Sequence, residues 1–311
     1  MNDFRIPLGT WIETFIDWIT VTFGFVFDFI RLVVDGAFEG VAYVLVEPPF
    51  YVIIALAAAI GLGVRGWKFA LGTVVGLGLI LGVNQWENAM LTLALVLVAS
   101  LIAIGLSIPL GIVAAKSSIA SSVIRPILDF LQTMPAFVYL VPALILFRVG
   151  EVPGIVATII FAIAPGVRLT ELGIRGVDKE VVEAGQAFGA SPWRILRQIQ
   201  LPLATPTIMA GINQVIMLSL SMVVIAGMVG AGALGGEIVA ALSRLDVALG
   251  FEAGLAVVIL AIFLDRVTAA LGNGETPLGR LLTARKASRL AAPAVAQPTA
   301  SPAPAPAPAL V

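Results

Sequence analysis

The feature that most constrains this chain is its succession of apolar runs without a single charge. Asn88 to Ala115 and Leu203 to Gly236 contain no Asp, Glu, Lys or Arg, and shorter uncharged runs cover Pro48 to Val64, Phe69 to Trp86, Thr133 to Phe147 and Val152 to Val167. Val247 to Leu264 adds another, interrupted only by Glu252. A bilayer's hydrocarbon core is about 30 Å thick, so a helix needs about 20 apolar residues to cross it. The expected fold is an all-α polytopic membrane protein with about seven transmembrane helices, some near the lower length limit. Composition agrees: 12% of residues are charged and 59% are hydrophobic, where a soluble domain carries about 25% charge.

Ahead of these runs, Leu8 to Val33 reads as an amphipathic helix. Leu8, Trp11, Phe15, Trp18, Ile19, Phe25, Val26, Phe29, Ile30 and Val33 form one stripe, and Glu13, Asp17, Thr20, Gly24, Asp28, Arg31 and Asp35 form the other. Aromatic side chains suit the headgroup level, and the acidic face disfavours an anionic cytoplasmic leaflet. The helix is therefore expected to lie in the outer interface. No cleavable-signal pattern precedes it, so insertion is expected to rely on internal spans. The chain divides into an extracytoplasmic amphipathic region (1–47), a pair of scaffold spans (48–86) and a core (88–275) with a polar loop at 168–203. An Ala- and Pro-rich tail (276–311) follows, whose composition suits a disordered, polyproline-like segment.

The polar loop holds a compact helical hairpin. Gly189 suits a helix stop, Ser191 an N-cap, and Pro192 the first helical position, where its missing N–H costs nothing. Ile195, Leu196 and Ile199 then recur at helical spacing, flanked by Arg194 and Arg197. Two short helices are expected. Of the eighteen Lys and Arg residues, Arg5, Arg31, Arg148 and Arg244 fall on one side of the spans and fourteen on the side of this hairpin. Positive charge collects in the cytoplasm, which puts the hairpin and carboxy terminus inside and the amino terminus outside.

Chemistry of its own is hard to find in the chain. There is no Cys and no His, which excludes disulfides and the commonest metal ligands, and removes imidazole acid–base catalysis. The glycine-rich stretch Gly227 to Gly236 follows no strand and lacks the Gly-Lys-Ser/Thr ending of a phosphate loop. The spans also lack the mid-depth charges of many ion-coupled carriers. Energy for any transport would come from another subunit.

Glu183-Ala184, then Gly189, then Ile199-Gln200-Leu201-Pro202 resembles the cytoplasmic loop signature of ATP-binding-cassette importer permeases, with Gly185 standing where the second Ala of that signature is usual. Leu131 to Tyr139, the Gly227 to Gly236 stretch and Leu264-Asp265-Arg266 resemble the glycine betaine/proline betaine branch, as does the acidic, aromatic amino-terminal helix ahead of a span pair. The resemblance covers roughly residues 8 to 275. It implies a non-catalytic permease subunit in the inner membrane: two scaffold spans and a five-helix core, working as a homodimer within lipid. An ATPase subunit would carry the ATP and Mg, an external binding protein would deliver an osmolyte, and no nucleic acid is involved. This chain would bind no metal or other cofactor.

Glu183, Ala184, Gly185, Gly189, Ile199, Leu201 and Pro202 would then couple the permease to the ATPase, the small residues allowing a rigid knob to seat closely. Thr133, Met134 and Pro135 would begin a path-lining span, although simple helix initiation explains them as well. Met217, Ser219, Ser221 and Met222 fit either a gate or ordinary packing between spans. The glycine-rich stretch fits an outer surface for the binding protein or a structural turn. Alternatives to a betaine cargo are choline, carnitine or an amino acid, and a secondary carrier is the alternative to ATP-driven import.

Overall fold

The computed structural model describes residues 7–273. These form thirteen α-helices and one short π-helical segment. The Ala/Pro tail and the residues Arg5, Arg280, Arg285, Lys286 and Arg289 of the charge count lie outside the described residues.

At the centre, α4 (Trp86–Lys116) and α7 (Glu151–Arg175) pack along each other, with α10 (Leu201–Ser221) packed along α7 and also touching α4. Small residues make this possible. A Cβ added at Gly111 of α4 would lie 2.5 Å from Cβ of Thr170, and one at Gly211 of α10 would lie 3.0 Å from Cβ of Leu169. Ala94, Ala99, Ala103 and Ala162 are fully buried in the core cluster of these helices. Lipid tails are as apolar as leucine, so close van der Waals packing rather than water exclusion holds spans together, and small residues are what permit it.

Four helical stretches are long and apolar enough to cross a membrane: α4, α7, the stretch Pro192–Gly227 that contains α10, and α13 (Val247–Asn273). Two bent pairs raise the number to six: α1 (Leu8–Val46) with α2 (Phe50–Arg65), and α5 (Ser118–Thr133) with α6 (Ala136–Phe147), each bent by 98°. The remaining expected span is α3 (Trp67–Gly82), of 16 residues. It forms a hairpin with α2 around Gly66, whose φ of +92° suits glycine, and the pair leans on α13 through Ile53, Ala57, Leu77, Ile80, Ala256 and Leu260.

The structure revises the amino-terminal helix. α1 runs on to Val46, with a break in helical geometry at Phe23. Trp11, Phe15, Trp18, Phe25 and Phe29 stay exposed, but Val34, Phe38 and Ala42 are buried against α4 and α7. Residues 34–42 therefore pack as part of the core cluster. Asp35 and Glu39 hide this in the sequence, because they interrupt the stripe just where its buried part begins.

The glycine-rich stretch is also more helical than expected. α11 (Val223–Gly227) leads through a turn into α12 (Ala233–Arg244), and the backbones at Gly227 and Gly235 touch with no room for a Cβ on either. Leu234 is wholly buried, and its N–H donates to Oγ1 of Thr92 at 3.0 Å. α12 thus rests on α4 and α13 instead of lying free on the surface.

Candidate coupling site

The hairpin grows directly from the inner end of α7. Asp178 caps α8 (Lys179–Ala187), its side chain accepting from the Glu180 N–H at 2.9 Å. At the other end the Gly189 N–H donates to Gln186 O at 2.8 Å and the Ala190 N–H to Gly185 O at 3.1 Å. With Gly189 at φ +75°, this is a Schellman cap, which satisfies carbonyls that the helix end would leave unpaired. Ser191 then accepts from the Arg194 N–H, and Pro192 opens α9 (Pro192–Ile195).

The return arm differs from the expected short helix. After α9, a π-helical segment (Leu196–Gln200) runs straight into α10, so the arm is the inner end of a membrane span. Pro202 and Pro206 both lack the N–H needed for regular pairing one turn back. The Leu201 N–H reaches instead to Leu196 O, five residues earlier. Ile195 and Leu196 are buried, Leu196 against Ile174, Ala204 and Ile208, which anchors the arm to α7 and α10. Lys116 Nζ donates to Gln200 Oε1 at 2.6 Å and ties it to α4 as well.

The seven signature residues come together on this one protrusion. No residue of α8 is buried. Gly185 faces the return arm, where a Cβ would lie 2.8 Å from Cδ1 of Ile199. Glu183 and Ala184 are exposed, Gly189 sits at the tip, Ile199 and Leu201 are half-buried, and Pro202 is exposed at the root. Glu183 also lines a hollow of about 440 Å³ together with Arg175, Lys179, Gln186 and Gln200. Phe188, which periodicity did not single out, is 92% exposed at the tip, and Trp193, five residues on, is 66% exposed. Exposed aromatic rings are the side chains most used as anchors at protein interfaces. The signal of Phe188 in the sequence was only its place next to the helix-stopping glycine.

The residues read as a path are divided. Thr133 ends α5, Met134 is extended, and Pro135 precedes α6, so they form the elbow of a 98° bend. Tyr139 braces it by donating to Met134 O at 3.0 Å. Met217 is half-buried and Ser221 exposed at the end of α10, while Ser219 is buried and donates to Val215 O. Of the two readings of Met222, gate or packing, its surroundings are those of packing: it is buried against Leu140, Ala157 and Val229, between α6 and α7. That cluster, with Ala136 on its edge, is where the elbow and the end of α10 meet. Asp265 of α13 accepts from Asn213 of α10 at 3.1 Å.

Comparison with known proteins places this geometry among transport proteins. Residues 107–274 match the family model described as binding-protein-dependent transport system inner membrane component. The chain is 47% identical over 88% of its length to the glycine betaine/proline betaine transport system permease protein ProW of Escherichia coli K12, covering 77% of that protein. It is 48% identical over 86% of its length to the glycine betaine/carnitine transport permease protein GbuB of Listeria monocytogenes, covering 96% of it. In fold it resembles a chain of the inward-facing MetNI methionine ABC transporter, with a TM-score of 0.55 over 59% of this chain and 92% of that one, at 19% identity.

Proposed function

The chain belongs to the family of binding-protein-dependent transport system inner membrane components, and from that premise we propose that it is the permease of an ATP-driven importer of quaternary-ammonium osmolytes such as glycine betaine. The observation that carries the coupling half of this reading is the capped hairpin from Glu183 to Pro202, which protrudes from the matched region with Phe188 exposed at its tip. The cargo half rests on the relatives, which transport glycine betaine with proline betaine or carnitine.

In this reading an ATPase subunit receives each hairpin. Two copies of the chain form the path at their interface, within lipid, and an external binding protein hands over the substrate. ATP and Mg belong to the ATPase, and this chain contributes no catalytic group. When the ATPases close, the hairpins approach, and because α8 is joined to α7 and the return arm to α10, the motion passes rigidly into the two central spans. Packed helices move between discrete arrangements, which is what alternating access requires. The path is assigned to the Thr133-Met134-Pro135 elbow with Met217 and Ser221, and Met222 supports it from behind. The quaternary ammonium is recognised chiefly in the binding protein, by cation–π attraction to aromatic faces.

The test is uptake of radiolabelled glycine betaine into proteoliposomes containing the chain with its ATPase and binding protein. Uptake should require ATP inside and binding protein outside, and should vanish when the ATPase is omitted. Equal uptake without ATPase would make the chain a secondary carrier. Uptake of choline, carnitine or an amino acid in preference to glycine betaine would reassign the cargo alone.

A further inference from the structure

Glu171 is the one carboxylate among the described residues that is buried, with its side chain 3% exposed. It lies on α7 one turn before the chain leaves for the hairpin, and it is neutralised from α5 and from the end of α7 itself. Ser121 Oγ of α5 donates to Oε1 at 2.7 Å, and Arg125 of α5 donates from Nη2 to Oε1 at 3.0 Å and from Nε to Oε2 at 3.3 Å. Arg175, one turn on along α7, adds its Nε at 3.0 Å and turns its Nη2 to Ala114 O at the end of α4, 2.8 Å away. Three turns of α5 are thus held against α7, because one turn earlier on α7 Arg168 pairs with Asp129. Leu128, Ala164 and Val167 fill the space between.

A buried carboxylate is a costly way to join helices whose packing apolar residues would serve as well. What it adds is geometry: a bidentate arginine fork fixes direction and register as a greasy contact does not. The two elements so fixed matter. The hairpin hangs from the end of α7, and α5 ends four residues after Asp129 in the Thr133-Met134-Pro135 elbow. We propose that Glu171, with Ser121 and Arg125, and the Arg168–Asp129 pair form a strut that carries hairpin movement to the elbow. Glu171 is then a positioning residue of the transport cycle. The strut rests on the permease reading above.

The test uses the complete transporter in proteoliposomes, with uptake and ATP hydrolysis measured in the same vesicles. Two lesions are compared: Glu171→Gln, and Arg168→Asp with its repair Arg168→Asp/Asp129→Arg. A strut that transmits movement leaves ATP hydrolysis within about twofold of the parent and lowers osmolyte taken up per ATP about fivefold, and the reversed pair restores the ratio. A merely structural role lowers uptake and hydrolysis together and leaves their ratio unchanged, and that result would overturn the proposal. So would a reversed pair that fails to repair the single charge change. If Glu171→Gln does not assemble, the exposed Arg168–Asp129 pair decides alone. Uptake by the parent that needs no ATP would remove the permease reading and the strut with it.

Discussion

At the scale of single residues, Gly185 and Gly189 separate two uses of glycine. The Cβ of an alanine at 185 would press only on Cδ1 of Ile199, the far end of a flexible side chain. Gly189 has open space around it but a φ of +75°, which costs a residue with a Cβ about 1–2 kcal/mol. Gly185→Ala should therefore keep uptake and raise the melting temperature slightly, since alanine gains up to about 1 kcal/mol over glycine in a helix. Gly189→Val should lower uptake severalfold by breaking the cap, with the folded fraction on size-exclusion chromatography unchanged. Phe188→Ala belongs with them. It removes no internal contact, so loss of ATPase copurification without loss of thermal stability is the outcome expected for a docking residue. The caps at 189 and 191 were legible because backbone rules act locally. The exposure of Phe188 was not, since spacing alone cannot distinguish an aromatic ring at a protruding tip from one in a core.

Among the elements, long uncharged runs announced α4, α7, α10 and α13, because a membrane span is specified by length and apolarity within one segment. What failed to show was anything that depends on a partner segment. The buried face of α1 passes between Asp35 and Glu39, and only the small residues of α4 explain why Val34, Phe38 and Ala42 are covered. The return arm reads as a separate helix until the π-helical segment ahead of Pro202 is seen to run without a break into α10. The docking of α12 is likewise hidden, because Thr92, which accepts from the Leu234 N–H, lies 142 residues away. That contact is testable. Thr92→Val preserves shape but leaves the buried Leu234 N–H without its acceptor, a loss of about 1–3 kcal/mol. Amide exchange at 233–237 should quicken while exchange within α7 stays as in the parent. Equal quickening in both would mean that α12 is not a local unit.

The arrangement of the whole molecule turns on whether α1 crosses the membrane. Its second half, 24–46, is long enough at about 1.5 Å per residue, and it packs on the core. Yet it carries Asp28, Arg31, Asp35 and Glu39, of which Asp28 and Glu39 are exposed, and each charge at mid-depth costs about 2.5–3.5 kcal/mol on an insertion scale. α2, which pairs with α3 against the span α13, is met by α1 at 98°. A helix perpendicular to a span lies along the surface, where the exposed aromatic residues from Trp11 to Phe29 reach the headgroups and the acidic face reaches water. Counting α2, α3, α4, α6 and α7 as crossings then puts Thr10 and the hairpin on opposite sides. If α1 crosses as well, they share a side. The absence of cysteine makes this directly measurable. Thr10→Cys should react with a membrane-impermeant maleimide in cells whose outer barrier has been opened, while Ser191→Cys reacts only in inverted vesicles. Labelling of both positions from the same side would make α1 a sixth crossing ahead of the hairpin and would place the amino terminus in the cytoplasm.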